Sequence, residues 1–280
     1  DTSITTTGNV DANDALTFVS AGTIQTIGTI EGATVNMEST GADLNIDNTV
    51  NATTGNATLI ADTDINAANT ITAIDVATLT AGNDITLADE VTADTITLTS
   101  LGNMTVEELD AATTITASSG GTFQNTAAVD ADAGAVTIQS VGTTTTDGTV
   151  AGNSVNIEST TADLDINNTV DSDVAGVTLI AATNVDTANT VTAATDLTID
   201  ADGTVTSADL LTGGDNVSIT AGGAVAVDDI TATAGDVNVT TTGAFTNAAL
   251  VQALAGNVNV SADTSITTTG NVDANDALTF

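Results

Sequence analysis

The sequence predicts an all-β fold: a right-handed parallel β-helix (β-solenoid) with about 20 residues per coil and three short strands per coil. Three observations carry that expectation. An apolar–polar–apolar triplet recurs every 19 to 22 residues along the chain. The segment Asp1 to Phe18 recurs without a change as Asp263 to Phe280. The composition suits pleated backbone, with Val, Ile and Thr abundant, 24 Gly and no Pro.

The triplets give the first strand of each coil. They begin at residues 16, 35, 57, 77, 96, 115, 136, 155, 177, 197, 217, 237, 258 and 278, as in Val35-Asn36-Met37 and Ile96-Thr97-Leu98. Side chains alternate between faces with period two, so the outer members of a triplet point inward and the middle one outward. A second apolar position keeps step and marks the second strand: Ile4, Ile24, Leu44, Ile65, Ile85, Met104, Phe123, Thr144, Leu164, Val185, Val205, Val225, Phe245 and Ile266. A third series, Val10, Ile30, Val50, Ile71 and Val91, resumes at Val150, Val170 and Val191, often with Ala two residues on. Turns rich in Gly, Asn, Asp and Thr separate the three. None of these strands can bury its apolar side alone, whereas stacked coils share one apolar column. The lack of Pro fits strands bonded on both edges, and the crossover rule for parallel strands gives right-handed winding. Thirteen steps span 262 residues, which at about 4.8 Å per coil amounts to roughly 62 Å.

Longer periods organise the chain. Residues 1–262 form one tandem unit and 263–280 begin the next. Within the unit, about 17–82 resembles 137–202: Gly28-Thr29-Ile30 matches Gly148-Thr149-Val150, and Thr58-Leu59-Ile60-Ala61 matches Thr178-Leu179-Ile180-Ala181. The expectation is one continuous solenoid over 1–280, a mature or interior piece of a longer array.

Charge narrows the function. The chain has 37 acidic residues, 31 of them Asp, no Lys, Arg or His, and a formal charge of −37. Nucleic acid is excluded as a partner, because phosphate neutralisation needs cationic side chains. Anionic membrane surfaces are excluded for the same reason, and no apolar run of membrane-spanning length occurs. Nucleophile–base pairs built on His or Lys, phosphate-binding lysines and thiolate chemistry all lack their residues. With four Phe as the only aromatics, carboxylate-pair sugar hydrolysis would lack stacking platforms, so no enzyme is expected. The 41% hydrophobic content argues against disorder.

Stacking turns equivalent positions into columns. The middle residue of the triplet is polar and uncharged throughout: Thr17, Asn36, Thr58, Thr78, Thr97, Thr116, Thr137, Asn156, Thr178, Thr198, Ser218, Asn238, Asn259 and Thr279. This is a ladder of short hydrogen-bonding groups, and a candidate lateral-contact face where copies pack side by side while acidic faces repel. A flat Thr array also suits an ice-binding solenoid, but the neighbouring outward column mixes Val19, Glu38, Ile60, Thr80 and Asp200 and breaks the pattern. Acids align too. Asp43, Asp64 and Asp84 precede the second strand in three successive coils, Asp163 and Asp165 lie two apart, and Asp186 falls one coil beyond Asp165. Such columns repel unless screened, and Ca²⁺ is the cofactor their oxygen atoms would take. A solvated acidic surface without any cofactor is the plainer reading. N-glycosylation tripeptides at Asn51, Asn56, Asn103, Asn216, Asn238 and Asn259 are what an Asn- and Thr-rich composition produces.

Runs such as Gly235-Asp236-Val237-Asn238-Val239-Thr240-Thr241-Thr242-Gly243-Ala244-Phe245-Thr246-Asn247 resemble the shaft repeats of filamentous haemagglutinin-like exoproteins and giant repetitive bacterial surface proteins. That resemblance implies a right-handed β-helical rod at or beyond the cell surface, working as fibre shaft or adhesin. The expected function is a structural shaft segment of a long extracellular or cell-surface fibre, joined end to end to copies of itself and packed laterally. Direct adhesion to a surface glycan or cell receptor, a calcium-stabilised rod and ice binding are the alternatives. The complete lack of Lys and Arg departs from typical members of those families.

Overall fold

The computed structural model describes residues 2–280; Asp1, the first residue of the repeated segment, lies outside them. Among the described residues every regular element is a β-strand, and the chain divides into two compact units, Asp1–Ser140 and Val141–Phe280. Each unit is a parallel β-solenoid with about 20 residues between stacked strands.

In the first unit the opening strands of the coils are Leu16–Ser20, Val35–Ser39, Ala57–Ala61 and Val76–Ala81, followed by the later parts of Val91–Ser100, Leu109–Ser119 and Val129–Ser140. They pair in register, Leu16 on Val35, Val35 on Ala57, and onward through Ile96 and Ile115 to Val136. The second strands stack Ile4, Ile24, Leu44, Ile65, Ile85, Met104 and Phe123 in one inward column. The second unit repeats the scheme. Val155, Val177, Leu197, Val217, Val237, Val258 and Leu278 form one column, and Thr144, Leu164, Val185, Val205, Val225, Phe245 and Ile266 another. Away from the first and last coils the inward apolar side chains are at most 5% exposed. Ladders on both edges and a dry interior explain why isolated three-residue strands persist here.

Two expectations need correction. The third series does not lapse between Val91 and Val150, because Leu109 and Val129 continue it in the first unit. In the second unit Leu211, Ile230, Val251 and Val272 carry it on from Val191. Nor are the three strands always separate. Val91–Ser100, Leu109–Ser119, Val129–Ser140 and Val150–Ser159 each run from third strand into the next first strand, and Val205–Gly213 and Val225–Ala232 join second to third. Between Ala93 and Ile96 the chain passes Asp94 and Thr95 as a bend with a register irregularity inside one strand, where Ala52 and Ala57 are joined by a turn.

Glycine serves a purpose other than backbone reversal. Among the described residues none takes a positive φ. At Gly82 a Cβ would lie 2.0 Å from the carbonyl oxygen of Asp62, one coil earlier, so the corner has room for hydrogen only.

Candidate functional site

The candidate surfaces are the outward columns and the corners that frame them. The uncharged ladder forms as the triplets require. In the first unit Thr17, Asn36, Thr58, Thr78, Thr97, Thr116 and Thr137 lie in successive register. In the second unit Asn156, Thr178, Thr198, Ser218, Asn238, Asn259 and Thr279 do the same. All are half-buried except Thr17 and Thr279, which are exposed. The Asn259 side-chain amide donates to Asn238 Oδ1 at 3.0 Å, a single amide rung between Ser218 and Thr279. The second outward column lies beside it, with Val19, Glu38, Ile60, Thr80, Thr99, Ser118 and Gln139 in register in the first unit.

The acidic columns run along the corners as chains of hydrogen-bond acceptors. Asp43, Asp64 and Asp84 sit at the corner before the second strand, and each accepts hydrogen bonds from the following coil. Asp43 Oδ1 takes the Thr63 hydroxyl and the Asp64 N–H. Asp64 Oδ1 takes the Asp84 N–H at 3.0 Å and the Asn83 amide at 2.8 Å, and Asp84 Oδ1 takes the Asn103 N–H at 2.6 Å. Asn103 Oδ1 then accepts from Thr122 N–H at 3.0 Å. In the second unit Asp163 Oδ1 accepts from Thr183, from Asn184 N–H and from the Asn184 side chain, and Asn184 Oδ1 passes the pattern to Thr204. A carboxylate that receives such donors is stabilised in its charged form. The Asp163 carboxyl accordingly lies below the usual range, held there chiefly by the Thr183 hydroxyl and then by the Asn184 N–H.

Asp165 and Asp186 are set otherwise. They are register partners on adjacent second strands, facing outward between Thr145 and Thr206. Burial raises the Asp165 pKa first, and the charges of Asp163, Asp186 and Asp147 raise it further. Asp171 is likewise raised, by burial and then by Asp173. In the first unit Glu108 is raised by burial and then by Glu90, Asp110, Glu107 and Asp89, and Asp110 by burial and then by Asp132 and Glu90. Among the described residues no three carboxylates stand together as ligands for one metal ion. The structure therefore distributes Asp43, Asp64, Asp84 and Asp163 as separate acceptors, and brings only Asp165 and Asp186 side by side.

Sequence reasoning missed two sets of residues. One is a second acceptor column before the first strand, in which Asp and Asn alternate. Asp196 Oδ1 accepts from Asn216 N–H at 3.1 Å, Asn216 Oδ1 from Asp236 N–H at 2.8 Å, Asp236 Oδ1 from Asn257 N–H at 2.7 Å, and Asn257 Oδ1 from Ala277 N–H at 3.1 Å. Placing a neutral amide between carboxylates keeps the charges two coils apart. The other is the fifth residue of each first strand, small and inward, such as Ser39 and Ser119. The Ser39 hydroxyl donates to Gly22 O and Ala42 O, both at 2.9 Å, and Ser119 to Gly102 O and Thr122 O, both at 2.8 Å. A small residue, Ser or Ala and once Thr (Thr241), recurring two residues after the triplets was the available signal. Compared with protein-family models, with curated proteins and with solved structures, the chain matches none.

Proposed function

We propose that the chain is a structural, non-catalytic segment of the shaft of a long extracellular or cell-surface fibre, of the kind formed by the filamentous haemagglutinin-like repeats its sequence resembles. One observation carries the reading. Within each unit every coil pairs in register with the next through all three strands, over an interior that excludes water. Load along such a stack is shared by parallel backbone ladders and continuous aliphatic columns, which is what a stiff spacer needs. The negative charge keeps neighbouring shafts soluble and apart, and the lack of Lys and Arg leaves trypsin-like proteases no cleavage site. Its partners in this reading are copies of itself, with the uncharged Thr and Asn ladder as the face free of charge repulsion.

Negative-stain microscopy of chains carrying one, two and four copies of the 262-residue unit tests the proposal. Filaments of constant width whose length grows in proportion to copy number are expected. Compact particles, or saturable binding of the isolated segment to a cell or glycan surface without filaments, would replace the shaft with an adhesin.

A further inference from the structure

The 18-residue repeated segment occurs twice, and the two occurrences use opposite edges. In the first unit it pairs with the coil that follows: Ile4 with Ile24, Val10 with Ile30, Leu16 with Val35 and Phe18 with Met37. In the second unit the identical residues pair with the coil that precedes: Ile266 with Phe245, Val272 with Val251 and Leu278 with Val258.

The hydrogen bonds outside the strand ladders divide in the same way. Toward the following coil, the N–H groups of Ile4, Val10, Ala12 and Leu16 donate to Thr23, Thr29, Glu31 and Thr34, and the carbonyls of Thr2, Thr6 and Asp14 accept from Gly22, Ile27 and Ala33. Toward the preceding coil, Thr264, Thr269, Asn275 and Asp276 donate to Gly243, Asn247, Ala253 and Gly256, and the carbonyls of Asn271 and Ala277 accept from Val251 and Val258. Subtracting 262 places these second-unit groups at Thr2, Thr7, Asn13, Asp14, Asn9 and Ala15. The two sets share no donor and no acceptor, as expected of parallel strands, in which alternate residues bond to opposite neighbours.

Burial agrees. Ile4, Val10, Leu16 and Phe18 are only half-buried, and Leu278 and Phe280 are 45% and 59% exposed, whereas Ile24, Ile30, Val35 and Met37 one coil further in are at most 1% exposed. The segment is apolar on its inward face, and among the described residues each occurrence is paired along one edge.

We infer that the repeated segment is a splice coil, which takes residues 244–262 of one 262-residue unit on one edge and residues 19–39 of the next unit on the other. Tandem units then run on without a linker. Phe245, Ile4 and Ile24 would stack in one column, Val251, Val10 and Ile30 in the second, and Val258, Leu16 and Val35 in the third. This deepens the shaft reading and rests on it for the presence of a second unit.

The test is a chain in which residues 1–262 precede the full 1–280 sequence, probed by hydrogen exchange and by chymotrypsin. At the internal splice coil both sets of amides, those of Ile4, Val10, Ala12 and Leu16 and those of Thr7, Asn13 and Asp14, are expected to be protected together. Each set should exchange roughly a hundredfold or more slowly than in the occurrence where it lacks a neighbour. The internal Phe18 should resist cleavage. Val10→Asp in the internal copy alone should open the junction and release unit-length fragments, while the same substitution in the first copy should leave the junction resistant. Protection on one edge only, unit-length fragments from the unmodified chain, or a junction indifferent to the internal Val10→Asp would overturn the inference. These readouts concern the junction alone, so absence of the protein from surface fibres would defeat the shaft reading and leave them unchanged.

Discussion

A chain without a single cation must stack its acids by some means other than salt bridges, and the corner residues supply one. An Asp or Asn side-chain oxygen reaches a backbone N–H one coil along, so the carboxylate becomes part of the coil-to-coil bonding. Asp236 accepts both the N–H and the side-chain amide of Asn257, at 2.7 and 3.0 Å. Asp236→Asn keeps an acceptor oxygen and is expected to be near neutral in denaturant unfolding. Asp236→Ala leaves two donors without it and should cost about 1–2 kcal/mol. Equal losses for both variants would mean that charge, not acceptor geometry, matters there. The raised carboxyls lead to a pH prediction. For Glu108, Asp110, Asp165 and Asp171 the folded state holds protons more tightly than the unfolded chain, so ionisation opposes folding. That penalty is complete above their folded pKa values and disappears below the ordinary carboxylate values near 4. Asp163 has the opposite sign, and its contribution is lost only as pH falls below the ordinary value through its lowered one. The melting temperature should therefore rise from pH 7 toward about 4 and turn down below that. Asp165→Asn should raise it at pH 7 by about 1–3 °C and by less at pH 4.

At the scale of the strand, packing is set by columns and by corners. Thr187 is an inward residue stacked on Ile166, 2% exposed, and its hydroxyl has no partner. Thr187→Val keeps the shape and removes the orphaned group, so it should stabilise the second unit by about 1–2 kcal/mol in denaturant unfolding. A loss of stability would point to a partner for that hydroxyl. Gly82→Ala should act in the other direction, because its methyl would meet the Asp62 carbonyl and force the two coils apart; an unfolding free energy lowered by about 1–3 kcal/mol is expected. These elements also show what could be read from sequence. The triplet starts coincide with strand register in both units because period-two alternation under a recurring spacing leaves one way to stack. Leu109 escaped because it follows Met104 by five residues where Val91 follows Ile85 by six, while Val129 keeps the six-residue interval after Phe123. The ladders from Thr17 to Thr137 and from Asn156 to Thr279 were legible because their residues share a position in the triplet. The acceptor role of Asp43, Asp64 and Asp84 was not. A column assignment says which side chains are neighbours, but the atom that receives a backbone N–H depends on the turn of the corner.

For the molecule as a whole, charge is the dominant variable, since all 37 ionisable side chains are acidic. Carboxylates in register on adjacent strands, such as Asp165 and Asp186, stand about 4.8 Å apart along the backbone. Salt screens them effectively only when the Debye length approaches that spacing, and it falls from about 30 Å at 0.01 M to about 3 Å at 1 M. The melting temperature should therefore climb by on the order of 5 °C across that range, with most of the gain in its upper decade, where the Debye length falls from about 10 Å to about 3 Å. Calcium at matched ionic strength should add little beyond this. A bound divalent ion needs six to eight oxygen ligands converging on it, whereas the acceptor columns hold at most one carboxylate per coil, already engaged with N–H groups. A chelator should then leave the transition where it was. If calcium instead raised melting well beyond the sodium curve, and chelation reversed it, the acidic columns would be metal sites after all, with Asp165 and Asp186 as the place to begin mutagenesis.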